Sequence, residues 1–120
     1  MKKIMLVDDS TAIRSILKSS LVTNFEVTEA ENGQVGLDLA RKTPYDLFLL
    51  DVNMPVMDGI TLLGELKKLD QYKKTPVIML TTETKEERKQ QAKSLGAAGW
   101  IIKPCEPAKL LGAIKTLLGS

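Results

Sequence analysis

A doubly wound α/β domain, with one five-stranded parallel sheet and helices on both faces, is the fold class that this 120-residue chain predicts. Three observations carry it. Short apolar runs recur five times, and four of the five are continuous rather than alternating, which marks strands covered on both faces. Segments with a helical apolar stripe lie between them. The order is therefore β-α repeated five times, and such parallel strands cross over right-handedly.

Each element has its own signal. Ile4-Met5-Leu6-Val7 is the first strand, and Ser10 or Thr11 caps the helix after it, whose Ile13, Ile16, Leu17 and Leu21 share one face. Phe25-Glu26-Val27-Thr28 is the second strand, and Asn32 caps the second helix. Leu47-Phe48-Leu49-Leu50 precedes a helix striped by Leu62, Leu63, Leu66 and Leu69. Val77-Ile78-Met79-Leu80 is the fourth strand. Thr84 and Glu87 fit a capping box for a helix over Glu83 to Ser94, which Gly96 stops. That helix carries only Ala92 and then Leu95 as an apolar face, so weak docking and mobility are expected of it. Trp100-Ile101-Ile102 is the fifth strand. Glu106-Pro107 opens a last helix with Leu110, Leu111, Ile114, Leu117 and Leu118 on one side.

Composition sets limits. One domain spanning residues 1–120 is expected, with an aliphatic core, since aromatics are only 4% of residues. One cysteine makes no internal disulfide, which fits a reducing compartment, and Cys105 reads as an ordinary buried or half-buried thiol. With no His, metal sites of Cys and His, Ser-His-Asp catalysis and haem held by His are excluded. The net charge of +2 is too small to argue for nucleic acid. Its distribution is uneven: residues 1–60 carry 6 basic and 9 acidic groups, residues 61–120 carry 11 and 6. The apolar stretch after Lys2-Lys3 is four residues long, too short for a signal peptide, and no run approaches the length of a membrane span. A soluble, cytoplasmic monomer is expected.

Ligands of open α/β sheets bind at the carboxyl ends of the strands. The first strand runs into Asp8-Asp9, the third into Asp51 with Asn53 two residues on, the fourth into Thr81-Thr82 and the fifth into Lys103-Pro104. Three carboxylates converging on one edge repel one another, and a hard divalent cation with oxygen ligands resolves the conflict. Mg²⁺ suits the site, with Mn²⁺ as a substitute. Lys103 adds a second positive charge. No G-x-x-x-x-G-K-[ST] or G-x-G-x-x-G is present, so the nucleotide sites of comparable folds are excluded, and a flavin phosphate would be repelled by Asp8-Asp9.

Asp8-Asp9-Ser10, the run from Leu50 through Asp51 to Gly59, Leu80-Thr81-Thr82-Glu83 and Ile102-Lys103-Pro104 together resemble the receiver domain of bacterial response regulators, most of all the chemotaxis CheY-like single-domain type. The resemblance covers residues 3–118 and implies a flavodoxin-like (βα)5 fold and a phosphorylation switch. Asp51 would accept a phosphoryl group from a phosphohistidine of a sensor histidine kinase. Asp9, Asp51 and the Asn53 main-chain carbonyl would hold Mg²⁺, with Asp8 acting through water. Lys103 and the Thr81 hydroxyl would contact the phosphoryl oxygens, and Trp100 stands where the family has its switch aromatic. The resemblance also implies a cis Lys103-Pro104 bond, which the sequence alone would make trans. The output would be protein binding on the face of the fourth helix, fifth strand and last helix, in chemotaxis or motility, with a phosphatase as a further partner. Lys85, Arg88, Lys89, Lys93 and Lys109 would favour an acidic partner there. No turnover of an external substrate, no nucleic acid and no membrane insertion are implied.

Three residues depart from the family pattern. Trp100 is larger than the usual Tyr or Phe, Thr82 is bulkier than the usual Ala or Gly, and Cys105 replaces a common aromatic. Two other readings compete: a receiver cut from a longer regulator or hybrid kinase, and a Mg²⁺-dependent phosphohydrolase with Asp51 as nucleophile. The second wants an acid two residues after the nucleophile, where this chain has Asn53.

Overall fold

The computed structural model describes residues 1–119. The elements follow one another as β1 (Lys3–Val7), α1 (Thr11–Leu21), β2 (Glu26–Ala30), α2 (Gly33–Lys42), β3 (Leu47–Leu50), α3 (Gly59–Lys68), β4 (Val77–Thr81), α4 (Glu86–Ser94), β5 (Gly99–Ile102) and α5 (Pro107–Leu118), with a 3-10 turn at Asp70–Tyr72 before β4. All strands are parallel, in the order β2-β1-β3-β4-β5. The chain moves outward from β1 to β2, then crosses back to β3. The strand order therefore reverses between β1 and β3, where such sheets open a crevice.

The continuous apolar runs fill both faces of the sheet by simple alternation. Met5, Val7, Phe48, Leu50, Val77 and Met79 pack against Leu37 and Ala40 of α2 and Leu62, Leu63 and Leu66 of α3. Ile4, Leu6, Leu47, Leu49, Ile78 and Leu80 pack on the other face against Leu17 and Leu21 of α1 and Leu110 and Ile114 of α5. Phe48 and Tyr72 meet edge to face at 4.9 Å, and the Tyr72 hydroxyl donates to the Ala40 carbonyl at 2.6 Å. Each leucine buried this way is worth about 2 kcal/mol.

Helix starts follow the capping residues in most cases. Ser10 accepts from the Ile13 N–H and Asn32 from the Val35 N–H, as expected, and Pro107 is the first residue of α5. The fourth helix differs. It begins at Glu86 with Lys85 at its cap position, and Thr84 makes no capping box. The Glu83 carboxylate accepts from the N–H groups of Thr84 and Lys85 in the loop before the helix, at 3.1 and 3.4 Å. The first-turn N–H groups of α4 therefore have no side-chain cap. Gly96, at φ +99°, does stop the helix. The apolar faces were drawn slightly too wide: Ile16 is 59% exposed and Leu117 41%.

α4 is held lightly. Ala92 is its one buried residue, and a single methyl gives about 0.8 kcal/mol. Arg88 adds tethers to Asp58 before α3, at 3.5 Å, and to Glu83, at 4.0 Å. The Gln90 amide pairs with Glu86 along the helix at 2.8 Å.

The segment joining β3 to α3 is closely packed at Gly59. The Gly59 N–H donates to the Val52 carbonyl at 2.8 Å, and a Cβ on Gly59 would stand 1.8 Å from the Asp51 carbonyl oxygen. Val56 in the same loop is 79% exposed and adopts φ +71°, a left-handed conformation that β-branched residues resist. Opposite outcomes are expected from two substitutions. Gly59→Ala should lower stability by about 1–3 kcal/mol, since backbone must move. Val56→Gly should raise it by about 1 kcal/mol through relief of strain. Urea unfolding of both variants checks the signs.

Candidate functional site

Main-chain bonds beyond the strand ends hold the site residues in register. Asp8 N–H donates to the Ala30 carbonyl, Asp51 N–H to the Val7 carbonyl and Lys103 N–H to the Thr81 carbonyl. The ends of β1, β3 and β5 thus present their side chains on the same edge. One carboxylate oxygen from each of Asp8, Asp9 and Asp51 lies within 4.8 Å of the other two.

Lys103 closes the cluster. Its Nζ is 2.5 Å from Asp8 Oδ2 and 3.3 Å from Asp51 Oδ2. Asp8 and Asp51 are buried, at 2% and 8% exposure, whereas Asp9 is exposed. The other carboxylate oxygens are also used: Asp8 Oδ1 accepts from the Ser10 N–H at 2.8 Å, and Asp51 Oδ1 from the Val52 N–H at 2.8 Å. One ammonium faces three carboxylates, so the edge keeps an excess of negative charge open to solvent at Asp9. Hard oxygen donors, close spacing and an open side fit a small divalent cation that keeps some of its water. Asp9 and Asp51 would hold it, with Asn53 at the rim of the same crevice.

A cavity of about 570 Å³ adjoins the cluster, bordered on the polar side by these residues and Thr82 and on the apolar side by Ile13, Ile16, Leu17, Leu80, Pro104 and Cys105. Ile16, on the apolar face of α1 by its spacing, is therefore a wall of this cavity. Cys105 is half-buried and packs beside the α1–α5 core. The Lys103-Pro104 bond is cis, as the resemblance implies.

Thr81 and Trp100 stand outside the cluster. Thr81 is fully buried, and its hydroxyl accepts from the Glu83 N–H at 3.1 Å. The β4–β5 register sets Met79 beside Trp100 and Thr81 beside Ile102, so Thr81 and Trp100 share one face of the sheet. Trp100 is half-buried against α4 and borders a cavity of about 170 Å³ with Lys89, Ala92, Lys93 and Ala97. Asp58, the N-cap of α3, joins this side of the molecule to α4. Partial burial opposes its carboxylate, but the Thr61 N–H and hydroxyl and the Arg88 guanidinium outweigh that and hold its pKa below the usual value. Arg14 was not singled out by its spacing. It donates to the Asp8 carbonyl and pairs with Glu29 of β2. A basic residue one turn past a cap, with an acid near the end of the following edge strand, is the signal that could have found it.

Comparison with known proteins bears on this arrangement. The family model of the response regulator receiver domain matches residues 4–115. The transcriptional regulatory protein SrrA of Staphylococcus aureus is 39% identical over 117 residues, which is 97% of this chain and 47% of that protein. The chain thus spans about half the length of the curated relatives it matches. Among solved structures, Vibrio cholerae chemotaxis protein CheY4 superposes with TM-score 0.93 at 42% identity, covering 98% of this chain and 99% of that one. A CheY-like receiver domain protein of Methanospirillum hungatei gives TM-score 0.94 at 33% identity, with coverage of 99% and 94%.

The electrostatics of the cluster predict the effect of removing its cation. Lys103→Met leaves two buried carboxylates and Asp9 without their ammonium and should lower stability at neutral pH by up to about 3 kcal/mol. Chemical denaturation at neutral pH checks this. Asp58 carries a pH dependence of its own. A lowered carboxylate pKa contributes stability above the usual value that is lost as pH falls through the lowered one, so Asp58→Asn should flatten the acid limb.

Proposed function

The chain belongs to the response regulator receiver family, whose members act in phosphorylation-dependent signalling, and from that premise we propose that Asp51 is the phosphoacceptor of a Mg²⁺-dependent switch. The observation that carries this reading is the position of Asp51: it ends a fully buried central strand, touches Lys103, and lies beside Asp9 and Asp8. An Asp51 oxygen attacks the phosphorus of a histidine kinase's phosphohistidine. The new P–O bond forms as the P–N bond breaks, and the imidazole nitrogen keeps the electron pair and takes up a proton. Phosphoryl transfer needs positioning and charge neutralisation more than covalent help. A bound Mg²⁺ supplies charge neutralisation at the phosphoryl oxygens. Lys103, 3.3 Å from Asp51, would do the same, and its contact with Asp8 keeps the ammonium in place. Asn53 offers no acid for the leaving group of an external substrate, which favours a switch over a phosphohydrolase.

The aspartyl phosphate adds roughly two negative charges and new acceptor oxygens. Thr81 is the residue that responds. Its hydroxyl leaves the Glu83 N–H for the phosphoryl group, and this loosens the loop whose Glu83 carboxylate caps the approach to α4. Helix α4, held by one methyl and two long ion pairs, then shifts, and Trp100 moves on the same face. The change biases an existing two-state equilibrium. The receiving surface for the protein target is α4, β5 and α5, and its lysines favour an acidic partner. The full-length likeness to a chemotaxis protein favours a motility pathway. The match to half of a transcriptional regulator favours a second reading, in which this receiver governs a further output domain.

Two measurements test the proposal. Incubation with a small phosphodonor and Mg²⁺, borohydride trapping and mass spectrometry should place the modification on Asp51. Labelling elsewhere at an undiminished rate in Asp51→Asn would refute the assignment. Beryllofluoride with Mg²⁺ should shift the fluorescence of Trp100, the one tryptophan. The shift should vanish in Asp51→Ala and shrink in Thr81→Ala, although neither change touches the indole. An equal shift in Asp51→Ala would remove Trp100 from the pathway.

A further inference from the structure

The turn between β1 and α1 is anchored on every side. Asp8 gives its N–H to the Ala30 carbonyl at 3.1 Å, takes the Ser10 N–H on Oδ1 and meets Lys103 with Oδ2. Its own carbonyl belongs to the peptide bond that leads into Asp9, and that carbonyl accepts from Nη1 of Arg14. Arg14 lies one turn into α1, and its side chain is 13% exposed. Nη2 is 3.5 Å from the Thr11 hydroxyl, and Nε is 3.3 Å from Glu29 Oε1. Nε is buried and off the line of a directed hydrogen bond, so Glu29 holds the guanidinium by charge. Glu29 is paired in register with Leu6, two residues before Asp8, and also meets Lys18 at 3.4 Å.

We propose that Arg14 is a positioning residue for the cation site: it fixes the Asp8–Asp9 peptide and so keeps the exposed Asp9 carboxylate beside Asp8 and Asp51. The proposal rests on the reading of the three carboxylates as a divalent-cation site. Asp9 is the exposed member of the cluster and the one that burial holds least. Its aim depends on the backbone on either side. The Ser10 N–H is fixed by Asp8 Oδ1 and the Asp8 carbonyl by Arg14, so the Asp9 backbone is gripped at both ends. A guanidinium can do this while also facing Thr11 and Glu29, because its donors form a rigid planar fork. A lysine has the charge but not the fork. Partners that orient a ligand in this way are typically worth about 10–100-fold in metal affinity.

Calorimetric titration with Mg²⁺ tests this on four proteins: the unsubstituted chain, Asp9→Ala, Arg14→Lys and Lys18→Met. Binding by the unsubstituted chain and its loss in Asp9→Ala establish the cation site independently of Arg14; no binding by the unsubstituted chain sinks the cation reading itself. Arg14→Lys should bind Mg²⁺ about 10-fold more weakly at unchanged net charge while circular dichroism shows it folded. Lys18→Met, which removes the other cation on Glu29, should stay within about twofold, a bound that follows from weak, screened surface charge. Should Arg14→Lys fail to fold, Glu29→Gln keeps the question open to test, with faster amide hydrogen exchange expected at Asp9 and Ser10. Mg²⁺ affinity in folded Arg14→Lys equal to that of the unsubstituted chain overturns the proposal, and so does unchanged exchange at those amides in Glu29→Gln. An equal loss of affinity in Lys18→Met would trace the effect to Glu29, which both cations meet, rather than to the Arg14 bond with the Asp8 carbonyl, and overturns the proposal as well.

Discussion

Three carboxylates with oxygens within 4.8 Å of one another repel strongly, and one ammonium, that of Lys103, answers two of them. The arrangement persists because the sheet imposes it. Asp8, Asp51 and Lys103 each follow a strand, and each is locked by a ladder bond to the neighbouring strand. A buried apolar sheet supplies the rigidity, with Ile4 to Val7, Leu47 to Leu50 and Val77 to Thr81 removed from solvent on both faces. The concentrated charge that this scaffold tolerates is the feature that a divalent cation and a phosphoryl group can exploit.

The same sheet divides the molecule into a firm half and a light one. α1, α2, α3 and α5 each bury two or more residues, whereas α4 buries Ala92 alone. Thr81 sits at the junction. It ends the buried β4, and its hydroxyl takes the Glu83 N–H in the loop that leads to α4. In the proposed switch, charge at Asp51 would reach α4 through this one side chain and one short loop. Arg88 adds a second link, since it reaches both Asp58 after β3 and Glu83 before α4. These links give the proposed switch a physical route without requiring the core to deform.

Much of this was legible from residue order. Leu47-Phe48-Leu49-Leu50 is a strand with the bounds read from its apolar run, and Ser10, Asn32 and Pro107 stand at the helix starts they mark. Asp8, Asp9, Asp51 and Lys103 meet because a parallel sheet brings strand ends together. What was not legible depends on contacts between distant segments. Thr84 fits a capping box by type and spacing, yet α4 starts two residues later without a side-chain cap, and Glu83 meets loop donors before it. Ile16 fits an apolar stripe, yet it borders a cavity, because helical spacing says which residues share a face and not whether another element covers it. Arg14 escaped notice because its partners, the Asp8 carbonyl and Glu29, come from the backbone and from another strand.

The central claim is that the charge held at this sheet edge is a cation site, and thermal unfolding as a function of Mg²⁺ concentration tests it most directly. A ligand that binds the folded state alone adds about 2.7 kcal/mol when its concentration is 100 times its dissociation constant. The unfolding midpoint should rise steadily with the logarithm of Mg²⁺ concentration in the unsubstituted chain and stay level in Asp9→Ala. A midpoint indifferent to Mg²⁺, or one that rises equally in both proteins, would contradict the account.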